Sequence, residues 1–350
     1  MKIAICIRGS LRSWDVCKHN IFQTFATIPH KIDWFFDTWD VDAFTYYDID
    51  PLKNTCAAKR VENPLTEKVK SNIIADFERV NENLVSFEVH KFDSQMNPAL
   101  SFLKLIYLSN TSKRKIELMN NSKYDVVIQI RPDMVFNPEL WQSNRCVKNI
   151  LASKDEFGLN FNTSVKTPGQ KMNCFNEIQV EDRYGTIVSD VPGIPDFAFY
   201  GPSQVLDLLS SAYIDAKRLE EETNSCFPHA TLFSFLSRNG VIMYDYFLDV
   251  MIVRNMKYRG VYDYEYFKNN PKDVLSFSEN FKNGVAACSD VWYNTYTTAS
   301  KLSEQTPRAS SGTTNPLVIS GIHAIANPFT NFPEYAQIMP REVRVYSSRS

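Results

Sequence analysis

Two short stretches carry the residue types that suit a bound anion. The first, "RGSLRSW", places Arg8 and Arg12 around Gly9 and Ser10. Planar guanidinium forks pair with phosphate oxygens, and a glycine lets the backbone come close, so this set suits a diphosphate. The same residues also fit a plainer arrangement, with Arg8 closing a strand and Arg12 solvated on a helix. The second stretch, "YDVVIQIRPDMVF", is an apolar run that breaks at Arg131, Pro132 and Asp133. Residues two apart on an extended segment point the same way, so Arg131 and Asp133 should emerge together, and Pro132 holds Arg131 extended. An Arg-Asp ion pair at the end of a structural strand fits equally well. A third group, Asp37, Thr38 and Asp40, follows another apolar run.

These groups need a scaffold that gathers strand ends. The first ninety residues alternate apolar runs with helical patterns: a strand at 2–7, a helix at about 13–26, a strand at 32–40, a helix at about 66–80 and a strand at 84–90. That rhythm predicts an α/β fold with a mixed, mainly parallel sheet flanked by helices. Asn97-Pro98 opens a further helix toward Met119 that leads into a strand from about 124, which ends in Arg131, Pro132 and Asp133. Residues 41–64 read as a long functional loop, and 139–184 as a weakly patterned region with a possible strand at "EFGLNF" and room for a lid. A strand at 196–200 precedes a helix capped by Ser203, with Val205, Leu208, Leu209, Ala212, Ala216 and Leu219 on one face. A short helix at about 229–238 ends at Asn239-Gly240, and "VIMYDYFLDVMIVR" supplies one or two more strands.

In an open α/β sheet, ligands sit beyond the carboxyl ends of the strands, and each of the three polar groups follows a predicted strand. Composition narrows the ligand. Net charge is −2, with 38 basic and 40 acidic residues, so there is no broad cationic surface for nucleic acid. No apolar window is long enough to span a membrane, and the N-terminal run is too short for a signal peptide. The expectation is a soluble, cytoplasmic protein. Seven cysteines without a CxxC pair suit a reducing compartment, and three Asn-x-Ser/Thr triplets carry no weight without secretion. A dinucleotide fingerprint is missing after the first strand, and no P-loop is present.

An apolar strand ending in a short acidic motif resembles the metal-binding strand of GT-A type glycosyltransferases, whose usual motif is Asp-x-Asp; here Arg131-Pro132-Asp133 stands in that place. With "IAICIRGSLRSW", "WFFDTWD" and "PDFAFYG", the chain is similar to GT-A-like enzymes of large DNA viruses and microbial polysaccharide clusters. The resemblance covers roughly 1–254. It implies a catalytic domain at 1–254, with a nucleotide-sugar half at 1–136 and an acceptor half at 137–254. An extension at 255–350 would pack on the body, with a Ser/Thr-rich loop near 303–316.

The resemblance further implies a UDP- or GDP-sugar donor and a glycan or glycoprotein acceptor. Arg8, Gly9, Ser10 and Arg12 would meet the diphosphate, and Asp37 and Thr38 the base or ribose. Trp34, Phe35, Phe36, Trp39, Phe44, Tyr46 and Tyr47 offer stacking surfaces, although most of them suit a core. Mn²⁺ or Mg²⁺ would be held by Asp133, with His323 as a further ligand, or Arg131 would contact the leaving diphosphate and reduce the need for metal. Asp196 is the candidate base, with Glu181, Asp182 and Asp190 as alternatives; Glu220 to Glu222 read as a solvated helix end, and His229 as a helix start. The substitution of Arg131 for the first Asp leaves a second expectation open, a degenerate fold kept as a binding or scaffold protein.

Overall fold

The computed structural model describes residues 1–50, 55–137, 148, 150–151, 158–162, 178–181, 187–191, 194, 197–223, 231–232, 235–236, 238–246, 250–254, 261–276 and 345–347. Its centre is a mixed α/β sheet built on β1 (Ile3–Arg8), β2 (Ile32–Trp39), β5 (Asn83–His90) and β6 (Val126–Ile130). Between β2 and β5 lie β3 (Val41–Asp50) and β4 (Thr55–Pro64). β1 pairs in parallel with both β2 and β6, and β2 pairs in parallel with β5. The connecting helices are α1 (Trp14–Phe25), α2 (Glu67–Arg79) and α3 (Pro98–Met119). Thr66 caps α2 by accepting from the Val69 N–H, and Asn97 caps α3 by accepting from Ala99, so both helix starts follow from the local sequence.

Beyond β6 the sheet continues through β11 (Phe199–Gly201), β8 (Gly158–Asn162), β12 (Ile242–Tyr246) and an edge strand β15 (Val345–Ser347). β11 is antiparallel to both its neighbours, and the other strands share one direction. The eight-stranded sheet is therefore mainly parallel with one reversed strand. α4 (Ser203–Thr223) follows β11.

Strand alternation divides the core into two layers. Ile3, Ile5 and Ile7 of β1 pack with Trp14, Ile21 and Phe25 of α1 and with Ile73 and Phe77 of α2. Ala4 and Cys6 face the other way, with Leu103 and Ile106 of α3 and Val205, Leu209, Ala212 and Ala216 of α4. The predicted apolar face of α4 thus meets α3 on one face of the sheet, with Leu208 partly buried beside it. Edge-to-face ring pairs join Trp14 to Phe36 and Phe22 to Trp34, at 5.0 and 5.6 Å between centroids. Pairs of this kind add to burial.

One expectation is corrected. Residues 41–64 form no loop: β3 and β4 pair as an antiparallel ribbon from Val41↔Pro64 to Asp50↔Thr55. β3 is rich in β-branched and aromatic residues (Val41, Phe44, Thr45, Tyr46, Tyr47, Ile49), which favour a pleated strand over a coil. The strand that begins near 124 ends at Arg131-Pro132-Asp133, where its sequence breaks. β6 ends at Ile130, residues 131–133 turn, and β7 (Met134–Phe136) leaves to pair with β13 (Val250–Arg254) in a separate sheet completed by β14 (Val261–Asp263). Pro132 lacks an N–H for a central ladder, which gives the break its cause. "VIMYDYFLDVMIVR" consequently serves two sheets, as β12 and β13.

After β14, α5 (Tyr264–Asn269) and α6 (Pro271–Ser276) pack against α1. Phe267 and Val274 are buried there, and the Asn20 side chain donates to the Val274 carbonyl. β9 (Ile178–Glu181) and β10 (Ile187–Val191) form a two-stranded antiparallel pair. The segment 303–316 lies outside the described residues. No described helix is long and apolar enough to cross a membrane.

Candidate functional site

The order β6-β1-β2-β5 makes β1 the turning point of the parallel half: the chain builds outward from it through β2 and β5, then returns on its other side with β6. α1 and α3 accordingly lie on opposite faces, and the loops leaving β1 and β6 meet at the carboxyl edge, the place where open α/β sheets bind ligands. Arg12 follows β1, while Arg131 and Asp133 follow β6.

The three meet directly. Arg131 Nε and Nη2 donate to Asp133 Oδ1 and Oδ2 at 2.9 and 2.8 Å, a forked pair. Arg12 Nη1 donates to the same Oδ2 at 2.9 Å. Asp133 is fully buried, whereas the Arg131 and Arg12 side chains are 8% and 25% exposed. Two cations surround one anion here, with the Asp42 carboxyl beside Arg12 as a second acid, and the cluster reaches solvent chiefly through Arg12.

The backbone is shaped to bring this about. Arg12 sits at φ +48°, the left-handed region, and its N–H donates to Asp42 Oδ1 at 2.9 Å. A non-glycine residue there is strained, and such strain concentrates at functional sites. Arg12 Nε is buried without a partner. Gly9, at φ +142°, packs against Pro132: a Cβ built on it would stand 3.1 Å from Pro132 Cδ. Its predicted close approach is therefore to Pro132. On the far side, the Asp133 carbonyl accepts from the Val253 N–H, and the buried Ser13 hydroxyl donates to the Val253 carbonyl, tying β13 beneath the turn.

The other predicted site residues take different positions. Arg8 is 1% exposed and turned under α3, where its guanidinium lies over the rings of Phe102 and Phe199 and Nε donates to Gln129 Oε1. Its charge contributes to the edge from below. Ser10 is buried beside the glycine. Asp37 is fully buried at the end of β2; its Oδ1 accepts from Ser112 Oγ at 2.9 Å and lies 2.8 Å from His90 Nε2, and its Oδ2 has no partner. Thr38 is buried with an unpartnered hydroxyl. Asp40 is a loop anchor, accepting from the Phe92 N–H.

Trp34, Phe35, Phe36 and Trp39 are core residues, with Trp39 touching His90 and Phe92 at the rim. Phe44, Tyr46 and Tyr47 fall in β3, where the backbone alone is described. Asp196, Asp182, His229 and His323 lie outside the described residues. Glu181 and Asp190 are backbone positions of β9 and β10, and Glu220 to Glu222 lie in α4.

Two residues at this edge escaped the sequence reading. His90 ends β5 beside Asp37 and is found by the same search past strand ends, had it been applied to that strand. Asp42 follows β2, inside the segment read as a loop. Burial pushes its carboxyl above the usual range, against the Arg12 N–H and charge. A carboxyl so shifted beside an arginine is a candidate proton carrier.

The implied divalent ion fits this arrangement poorly. Both oxygens of Asp133 already accept from guanidinium groups, and a cation bound there would stand beside two positive charges. Among the described residues, no group of three or more His, Cys, Asp or Glu could hold a metal ion. No protein-family model matches the chain, and no curated protein matches it.

Proposed function

We propose that the chain is a GT-A-like glycosyltransferase that moves a sugar from a UDP- or GDP-sugar to a glycan or glycoprotein acceptor. The observation that carries this reading is the meeting of Arg12, Arg131 and Asp133 at the β1/β6 edge. A mainly parallel sheet with one reversed strand agrees with the fold that the sequence resemblance implies.

In this reading, the acceptor hydroxyl attacks the anomeric carbon, the bond from that carbon to the donor's phosphate oxygen breaks, and the electron pair leaves on the nucleoside diphosphate. Charge then grows on the diphosphate, and cationic donors aimed at that position stabilise the transition state. Arg12 is the exposed cation for this task, with Arg131 behind it. Asp37 is fully buried against Ser112 and His90 and supports the end of β2 behind the arginines. Asp196 takes the acceptor proton if the reaction inverts configuration.

The closed state of Asp133 favours a second reading, a degenerate transferase fold that binds nucleotide sugars or glycans without turnover. Thermal unfolding with saturating UDP-glucose, UDP-galactose, GDP-mannose or GDP-fucose, followed by measurement of released nucleotide, separates the two. A raised Tm with nucleotide release on acceptor addition supports transfer; a raised Tm with no release under any acceptor supports the binding role. If no nucleotide or nucleotide sugar shifts Tm, both readings fail.

A further inference from the structure

We infer that the β1/β6 edge is a metal-independent diphosphate site in which Asp133 is a positioning residue rather than a metal ligand. The inference rests on the donor-binding reading above and assigns its chemistry to this chain's own cations. A carboxylate waiting for a divalent ion should present at least one oxygen at that edge. Asp133 instead receives three donors from two arginines and is fully buried.

What Asp133 does is fix directions. Its two oxygens clamp the Arg131 plane through Nε and Nη2, and its Oδ2 also receives Nη1 of Arg12. A free arginine has several rotamers, and holding its fork in one of them removes an ordering cost that a ligand would otherwise meet. Arg12 remains unsatisfied in part, because its Nε is buried without a partner. That orphan donor and the strained backbone that aims it are independent signs of an anion at this point. Arg12 and Arg131 stand on either side of Asp133, with Asp42 on the Arg12 N–H, so the leaving diphosphate would meet guanidinium donors in place of a metal.

Inorganic pyrophosphate, titrated into the intact chain by calorimetry in EDTA and again in Mg²⁺, tests this directly. The expected affinity in EDTA equals or exceeds that in Mg²⁺, since chelation only lowers the charge of the anion. Arg12→Ala is expected to weaken binding by roughly tenfold or more, the loss typical of one charge-assisted contact. Because Arg131→Ala would strand a buried carboxylate, Arg131→Lys is the second variant, with a similar weakening from loss of the fork. Asp133→Asn, which keeps one accepting oxygen and so loosens the fork, should weaken pyrophosphate binding by the same factor in EDTA and in Mg²⁺; a loss confined to the Mg²⁺ titration would make Asp133 a metal ligand.

Binding that requires Mg²⁺, an Arg12→Ala affinity within threefold of the parent, or no pyrophosphate binding in either buffer would each overturn the inference. Metal-free binding of pyrophosphate without any binding of nucleotide sugars would uphold it and defeat the proposed function instead.

Discussion

Replacing Gly9 by alanine probes the contact that sets the two arginine loops against each other. The added methyl would sit 3.1 Å from Pro132 Cδ and 3.6 Å from Cγ, and the residue would have to hold φ +142°. The backbone strain costs about 1–3 kcal/mol. The overpacking costs about 1–3 kcal/mol more, because a proline ring wedged between Arg131 and Asp133 has no rotamer to move into. Gly240→Ala serves as the internal reference: φ there is +68°, nothing lies within 4 Å, and only the strain term applies. Urea unfolding at neutral pH should place Gly9→Ala about 2–6 kcal/mol below the parent and Gly240→Ala only about 1–3 kcal/mol below it. Equal losses at the two sites would refute the packing argument, and a Gly9→Ala chain within about 0.5 kcal/mol of the parent would refute the strain argument as well.

Two further outcomes follow from the buried charges. Arg8→Met keeps a long side chain against Phe102 and Phe199 but removes the donor to Gln129, so stability should fall by about 1–3 kcal/mol, while pyrophosphate affinity, read by calorimetry, should fall less than for Arg12→Ala. A larger loss of affinity than at Arg12 would place Arg8 in direct contact with the ligand. Asp207, between α3 and α4, is pushed up by burial, but the Lys113 charge and hydrogen bonds from Lys113, Asn110 and Lys123 outweigh this and hold its carboxyl below the usual range. A depressed folded value means stability that is present above the unfolded pKa and lost as pH falls through the folded one. Asp207→Asn should therefore destabilise by about 2–4 kcal/mol at pH 7 and by much less near pH 2, as followed by urea unfolding. A loss unchanged between the two pH values would remove the ion pair with Lys113 from the account.

The parallel half of the fold was legible because β1, β2, β5 and β6 are short apolar runs separated by helices with readable caps at Thr66 and Asn97. The convergence of the loops after β1 and β6 was legible for the same reason: a strand that begins the sheet and one that returns beside it put their carboxyl ends together. The direction of Arg8 was also encoded, although unread. Ala4 and Cys6 face α3, and the two-residue period carries Arg8 to that face, beneath Phe102.

What local pattern could not give was pairing. The β3–β4 ribbon depends on which residues oppose one another across it, and β7 is a strand only because β13, over a hundred residues later, pairs with it. The state of Asp133 was hidden likewise, since Arg131 is a sequence neighbour but Arg12 reaches it from another loop.

The most direct test of the account is a crystal structure of the chain with UDP or GDP bound from an EDTA-containing buffer. The account expects the diphosphate at the carboxyl edge between β1 and β6, with its oxygens within hydrogen-bond distance of the Arg12 guanidinium and Asp133 still paired to Arg131. A nucleotide bound elsewhere on the sheet, or an Asp133 carboxylate swung free of both arginines to meet a metal, would contradict it.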